Sequence, residues 1–303
     1  MRGTSATQVS LGHHFAVAAA YAACYEVVRY FSFSHWMLTA GLRLACLLFA
    51  PRRFWPALVV GEALPLMEKA ILCNPFGLAW GFATAVPFIL LCMPVVSLVL
   101  RRMPLYEADG RLKMSTVLTA TLGCAVITAL RTDAALVTAY IGRPDGIQIW
   151  SAEAVPDFMA CLLGNYLGAL TLVPVALICH QHVTSYGLDP RRALRHPLMR
   201  DMLLFIPVLV ACALAGRDTG PEDIREFARL TLVLPVVAAA LRHGWQGGAV
   251  IGMLASVAMA STATVLLDPG MIRAQVVLSL VISGALVAGA RIAHRALRAP
   301  ETY

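Results

Sequence analysis

The sequence predicts an all-α protein: a polytopic transmembrane helix bundle of about ten spans, with both termini in the cytoplasm. The chain of 303 residues is 59% hydrophobic and only 14% charged, whereas a soluble domain is nearer half apolar and a quarter charged. Apolar segments approaching the 20 or so residues that cross a bilayer recur along the whole chain. Basic residues concentrate in alternate loops, as the positive-inside rule requires.

The predicted spans follow one another with short connections. Their bounds are Leu11–Tyr30, Phe33–Ala50, Phe54–Leu72, Phe76–Leu100, Ser115–Tyr140, Pro156–Ile178, Met202–Ala215, Phe227–Leu241, Gly247–Leu267 and Ala274–Ala293. A bundle of residues 11–293 is thus expected between two cytoplasmic tails, residues 1–10 and 294–303. The sequence leaves open whether the second, third, seventh and eighth spans cross fully, because they are short or carry charges and prolines.

Small residues form a ridge along the sixth span. Ala160, Gly164 and Gly168 recur every fourth residue, so they share one helix face. Such a ridge lets another helix approach backbone to backbone. Enlarging Gly168 is therefore expected to force helices apart, whereas the same change at Val173 is expected to be mild.

The same span carries polar side chains beside the ridge. Asp157 and Asn165 lie eight residues apart and fall on one face with Cys161 between them. A carboxylate in hydrocarbon is costly unless it faces protein or a wet cavity. This helix is therefore predicted in the middle of the bundle, with close packing and no ligand as the alternative interpretation.

A second small-residue ridge lies in the ninth span, where Gly252 and Ser256 are four residues apart. Such a face packs on another helix of the monomer or on a second copy, so a homodimer is one possible arrangement. The turn before this span, Ala240–Trp245, resembles Ala50–Trp55 in sequence, and Gly244 can supply the left-handed residue that ends a helix. If this echo marks a duplication, it is a parallel repeat, a device that some transporters use.

Three charged residues within the spans have no obvious local partner: Arg43, Glu62 and Asp157. An ionisable residue inside a membrane bundle is a functional-site hypothesis by default. We therefore predict a ligand-binding set of Arg43, Glu62, Asp157 and Asn165. An interhelical salt bridge from Arg43 to Glu62 is the competing structural interpretation.

No motif for catalysis or metal binding is present in the sequence. It contains no nucleophile elbow, phosphate-cradling glycine loop, HExxH or CxxC. The eight cysteines are scattered through apolar segments, where they act as small core residues. No catalytic residue, metal or cofactor is therefore predicted, and an enzyme that uses Glu62 or Asp157 as acid or base has no motif behind it. The net charge of +7 comes from short loops between apolar segments, so membrane lipid rather than nucleic acid is the expected contact.

Three stretches resemble the first of the bacterial membrane-associated sensor domain families called MASE. They are GLRLACLLFAPRRFWPALVVGEAL at Gly41–Leu64, LLGNYLGALTLVPVAL at Leu162–Leu177 and FARLTLVLPVVAAALRHGWQGGAVIG at Phe227–Gly252. Their order and spacing fit as well, so the resemblance covers nearly the whole chain. Asn165 departs from the family pattern, which is commonly acidic there, and Ala83–Pro87 lacks the Asn and Glu that relatives often carry.

The resemblance implies a sensory input module of the bacterial inner membrane whose last helix passes its state to an output. In this family the output is usually a histidine kinase or a cyclic-di-GMP enzyme. The tenth span ends in RIAHRALRAPETY, and only ten residues follow Ala293, so the expectation is a non-enzymatic sensor that signals through a separate partner or a dimer. A small-solute transporter or channel subunit is the alternative, suggested by the possible repeat, the proline-containing third span and the charges.

Overall fold

The computed structural model describes residues 11–32, 36–72, 77–107, 110–141, 146–187, 197–217, 221–262 and 269–296. The predicted N-terminal tail lies outside the described residues, as does the predicted C-terminal tail beyond residue 296. Within the described ranges the regular structure is helical. The strand-type contact found there is an isolated bridge between Tyr106 and Leu112.

The helices are numbered here in chain order. Their bounds are α1 Leu11–Tyr30, α2 Leu38–Phe49, α3 Trp55–Leu72, α4 Leu78–Ala85, α5 Phe88–Arg102, α6 Met114–Tyr140, α7 Gly146–Tyr186, α8 Pro197–Ala215, α9 Glu222–Thr231, α10 Val233–Ala260 and α11 Pro269–Ala296. A short 3-10 turn, Arg52–Phe54, precedes α3.

In the described parts of the chain, 5 helical stretches are long and apolar enough to cross a membrane. They are Leu78–Arg102, Met114–Tyr140, Ala154–Thr184, Pro197–Ala215 and Gly270–Ile292. The helix α2 is apolar but has 12 residues, about 18 Å of helix, against a hydrocarbon core of about 30 Å. The 5 long apolar stretches support a membrane protein. The count of ten spans stays a prediction.

Several helices differ from the predicted spans, the sixth and the eighth among them. The predicted sixth span is Pro156–Ile178, but α7 runs from Gly146 to Tyr186 and has 41 residues. Both Pro156 and Pro174 lie inside this helix. Proline is tolerated inside membrane helices because neighbouring helices and side chains satisfy the freed backbone groups. The predicted eighth span is divided, because α9 ends at Thr231 and α10 starts at Val233.

The helix α10 is folded back on itself at Gly244. This residue has φ 63° and ψ −149°, which interrupts the helical backbone, and the predicted positive φ there is confirmed. The two arms lie against each other, since a Cβ built on Gly247 would collide with the backbone carbonyl of Ala239. The turn thus forms a tight helical hairpin.

The core is centred on α7, which packs against α2, α6, α10 and α11. Leu170, Val173 and Leu177 of α7 are at most 1% exposed. Core interiors are close-packed, so a larger side chain at a fully buried position strains its neighbours. Val173 should therefore not tolerate enlargement, contrary to the expectation from the sequence.

Candidate functional site

Arg43 and Glu62 form a buried ion pair between α2 and α3. The Arg43 Nη2 atom lies 2.7 Å and its Nε atom 3.0 Å from the Glu62 Oε1 atom. The side chains are 3% and 0% exposed, respectively. A buried charge costs several kcal/mol unless a partner and further hydrogen bonds compensate it. The turn at 50–54 returns the chain so that these two helices can supply the two charges.

The second carboxylate oxygen of Glu62 binds the start of α5. The backbone N–H of Ile89 donates to Glu62 Oε2 at 2.7 Å, and α5 begins one residue earlier, at Phe88. The first N–H groups of a helix have no intrahelical acceptor, and the helix dipole is positive there. Glu62 therefore satisfies a helix N-terminus and a guanidinium at once.

The predicted fourth span is broken into α4 and α5 just before Pro87. Val86 is extended, with φ −66° and ψ 119°, because the residue before a proline is disfavoured in the helical region. The break exposes the last carbonyls of α4, and Arg131 of α6 donates from Nη2 to the carbonyls of Thr84 at 2.6 Å and Val86 at 2.9 Å. A cation thus binds the negative end of α4.

The Phe88 ring contacts both guanidinium groups. Its ring centroid is 5.0 Å from Arg43 Cζ and 3.9 Å from Arg131 Cζ, within the range of cation–π attraction. We call Arg43, Glu62, Phe88 and Arg131 the polar centre. It joins α2, α3, α5 and α6, together with the end of α4, so a displacement of any one of these helices strains the others.

Two tyrosines of α1 lie beside the polar centre. Tyr21 and Tyr25 are each 4% exposed, and both are close enough to Arg43 and Glu62 for electrostatic interaction. Among the described residues the buried Tyr21 hydroxyl has no hydrogen-bond partner. A buried hydroxyl without a partner costs about 1–3 kcal/mol, which marks this position as one that could accept a further polar group.

Asp157 and Asn165 lie apart from the polar centre, on α7. Asp157 is partly buried and lies near Cys161, as does Asp133 of α6. Asn165 is 2% exposed and donates to the Cys161 carbonyl of its own helix at 2.7 Å. The structure therefore brings two of the four predicted ligand-binding residues together and leaves the other two in a separate region.

The ridge on α7 holds the start of α2. The Met37 N–H donates to the Gly164 carbonyl at 3.0 Å, and a Cβ on Gly168 would collide with the Met37 carbonyl. Trp36 adds a hydrogen bond from its indole nitrogen to the Thr171 hydroxyl at 3.1 Å. Ala160, the third member of the ridge, instead lines an apolar cavity of about 400 Å³ between α6, α7 and α11.

The second ridge faces α11. A Cβ on Gly252 would lie 3.1 Å from Ile282 side-chain atoms, and the Ser256 hydroxyl donates to the Gly252 carbonyl at 2.9 Å. Near the other end of α11, Gly289 packs against the backbone of the Gly244–Trp245 turn. The turn is also tied to α8, because Asp201 Oδ2 lies 3.0 Å from His243 Nε2 and 3.3 Å from Arg242 Nη1.

Sequence reasoning missed Phe88 and the acceptors of Arg131. The available signal was Val86–Pro87, since a proline in a predicted span marks a possible break. Nothing in the local sequence links that break to Arg131, which lies 47 positions from Thr84. In the described ranges no group of three or more candidate metal ligands is present.

Comparison with known proteins gives two matches. The profile of the MASE1 family matches residues 7–296. The signal transduction histidine-protein kinase/phosphatase UhpB of Salmonella typhimurium is 26% identical over 228 residues, which cover 74% of this chain and 40% of that protein. The chain thus spans well under half the length of that relative. No solved structure matches the chain.

Proposed function

The chain belongs to the MASE1 family of membrane-associated sensor domains, and on that premise we propose that it is a non-enzymatic input module of the bacterial inner membrane. It crosses the membrane about ten times with both termini in the cytoplasm, and it acts through a separate signalling partner or a second copy of itself. The family match over residues 7–296 carries this proposal. The similarity to a histidine kinase supports it.

The proposed stimulus-responsive region comprises Arg43, Glu62, Asp157 and Asn165. Its first half is the polar centre, where the Tyr21 hydroxyl offers an unused hydrogen-bonding group. Its second half is connected to the first through α2, because Gly164 and Gly168 of α7 hold the residue that precedes this helix. A solute that perturbs either half would thus shift α2 against α7.

The proposed output is the C-terminal end of α11. Gly289 lies against the Gly244–Trp245 turn, and the same turn is bound to Asp201 of α8. A rearrangement of α8 or α10 therefore reaches the last turns of α11. The proposed partner is a histidine kinase or a cyclic-di-GMP enzyme, and the similarity to a histidine kinase supports the first of these.

The alternative function is a small-solute transporter, and the observation that suggests it is the break between α4 and α5. In transporters the free ends of broken helices bind substrate and coupling ions. Here both ends are already occupied by the protein itself, the α5 N-terminus by Glu62 and the α4 C-terminus by Arg131. This occupancy favours a role in holding and transmitting a conformation over a role in conduction.

Site-directed photo-cross-linking of the full chain in membranes tests the proposed function. A photoreactive residue replaces Ile292, which is 47% exposed near the end of α11, and in a matched control it replaces Leu280, which is 67% exposed on the same helix. We expect Ile292 to give an adduct with a second copy or with a kinase or cyclic-di-GMP enzyme, identified by mass spectrometry, and Leu280 to give none. No such adduct at Ile292, or equal adducts at both positions, would contradict the proposal.

A further inference from the structure

A groove with one polar end lies between α8 and α10, away from the polar centre. It has a volume of about 330 Å³. Ile206, Val210 and Leu214 of α8, four residues apart along one face, form one wall, and Leu254 and Ala258 of α10 form the other. Val210 and Leu214 are 51% and 57% exposed, so this wall faces the surroundings of the bundle rather than its core.

The polar end of the groove is formed by Arg217 and Ser261. The ends of α8 and α10 meet here, because a Cβ on Gly216 would lie 3.0 Å from the Thr262 side chain. Arg217 is exposed, and no interaction ties its guanidinium to another described residue. The neighbouring Arg229 is 3% exposed, and it donates to the Thr262 carbonyl at 2.9 Å. Of these two arginines, Arg217 is therefore the accessible one.

The dimensions of the groove match one leaflet of a bilayer. Ile206 and Ala215, the last residue of α8, are nine residues apart, about 14 Å along the helix, and Arg217 follows two residues later. Half of the hydrocarbon core is about 15 Å. A lipid lying along this groove would therefore place its head group beside the Arg217 guanidinium and an acyl chain between the apolar walls. Phosphate oxygens are strong acceptors for a guanidinium.

We propose that this groove binds one anionic phospholipid, with the phosphate at Arg217 and Ser261 and an acyl chain between α8 and α10. The proposal uses only the membrane location of the chain and does not depend on the sensory role. Because α10 also carries the Gly244 turn that contacts Gly289 of α11, lipid occupancy would set the spacing of helices that lead to the C-terminal end.

Lipid binding to the purified full chain tests the proposal. Native mass spectrometry in detergent compares dioleoyl phosphatidylglycerol with dioleoyl phosphatidylcholine, which has the same acyl chains and no net charge. Each basic residue near an anionic lipid is worth about 1 kcal/mol, or about fivefold in affinity. We expect phosphatidylglycerol to bind about fivefold more tightly, and Arg217→Gln to remove this preference. Phosphatidylcholine, whose phosphate would also meet Arg217, should be weakened less than phosphatidylglycerol.

Arg273→Gln is the matched control, because Arg273 is 70% exposed and already lies 3.4 Å from Glu226. Equal effects of Arg217→Gln and Arg273→Gln, or no preference in the parent protein, would overturn the proposal in favour of general surface attraction. Ala258→Phe should fill the groove and weaken both lipids, with Ala213→Leu as a second variant if the first lowers the melting temperature. Glycerol phosphate, which lacks acyl chains, should not compete; if it displaces the lipid, the site binds phosphate rather than phospholipid.

Discussion

At the scale of single residues, Glu62 determines how α2, α3 and α5 meet. Its carboxylate accepts two hydrogen bonds from Arg43 and one from the Ile89 N–H, and it is fully buried. Replacing one member of a buried pair leaves the other charge uncompensated, whereas replacing both can be nearly neutral. Replacing Glu62 also leaves the Ile89 N–H without its acceptor, which costs free energy beyond the loss of the ion pair.

Arg43→Met and Glu62→Leu should therefore each lower the free energy of unfolding by about 3–5 kcal/mol. The double variant should recover most of this loss, but not the about 1–3 kcal/mol for the stranded Ile89 N–H. Chemical unfolding of the four proteins in detergent measures the cycle. Glu26→Gln is the control, because Glu26 pairs with Arg29 at 2.7 Å with both side chains about two-fifths exposed, and it should cost at most about 1 kcal/mol.

The same variants separate a structural pair from a stimulus-responsive site. If the polar centre is only structural, the stabilised double variant should keep the cross-link at the end of α11. If it responds to a stimulus, that variant should fold and lose signalling. Single variants as stable and active as the parent would show that Arg43 and Glu62 are peripheral.

At the scale of helices, the contact between α2 and α7 depends on glycine. Gly168 and Gly41 face each other, since a Cβ on Gly41 would lie 2.6 Å from the Gly168 carbonyl. Small residues permit this approach where lipid supplies no hydrophobic driving force between helices. The helix that carries Arg43 is thereby held at its start, through Met37 and Gly164.

Gly168→Ala should lower the free energy of unfolding by about 1–3 kcal/mol, the usual cost of overpacking. Gly284→Ala is the matched control, because a Cβ there meets nothing within 4 Å. It should be neutral or stabilise by up to about 1 kcal/mol through helix propensity. Thermal unfolding and folded yield in detergent compare the two variants, and equal tolerance would place the ridge of α7 against lipid.

At the scale of the whole molecule, the loop charges and the lengths of the helices both bear on how many times the chain crosses the membrane. In the described ranges 5 stretches have the length and apolarity of a span, while α1 and α3 match predicted spans but carry charged or polar residues. Such helices can lie inside a bundle because protein rather than lipid surrounds their polar groups. To count the crossings, it is therefore necessary to measure on which side of the membrane each loop and each terminus lies.

Topology reporters answer that question. The basic bias predicts that fusions at the N-terminus and after Arg298 both report a cytoplasmic location. Fusions near Asp145 and Asp218, which lie outside the described residues, should report the periplasm. A periplasmic C-terminus would require an odd number of spans and would contradict the ten-span arrangement.

Membrane location, helical class and family could be predicted from the sequence, because apolar segment length and loop charge are properties of consecutive residues. The same reasoning singled out Arg43 and Glu62, since a charge within a span needs a partner, and anticipated the positive φ at Gly244. These inferences need no knowledge of which helices are neighbours.

The sequence suggested that Arg43 pairs with Glu62, and the tertiary structure decided that they do pair and which further partners the charged side chains have. Glu62 meets the Ile89 N–H from 27 positions away, and Arg131 meets the Val86 carbonyl from 45 positions away. Whether Ala160 faces a helix or a cavity, and whether Asp157 joins Arg43, depended in the same way on packing. The local sequence pattern shows which charged side chains need a partner in an apolar medium. Here several of those partners are backbone atoms at the break between α4 and α5. Every residue type offers such atoms, so only the assembled fold identifies them.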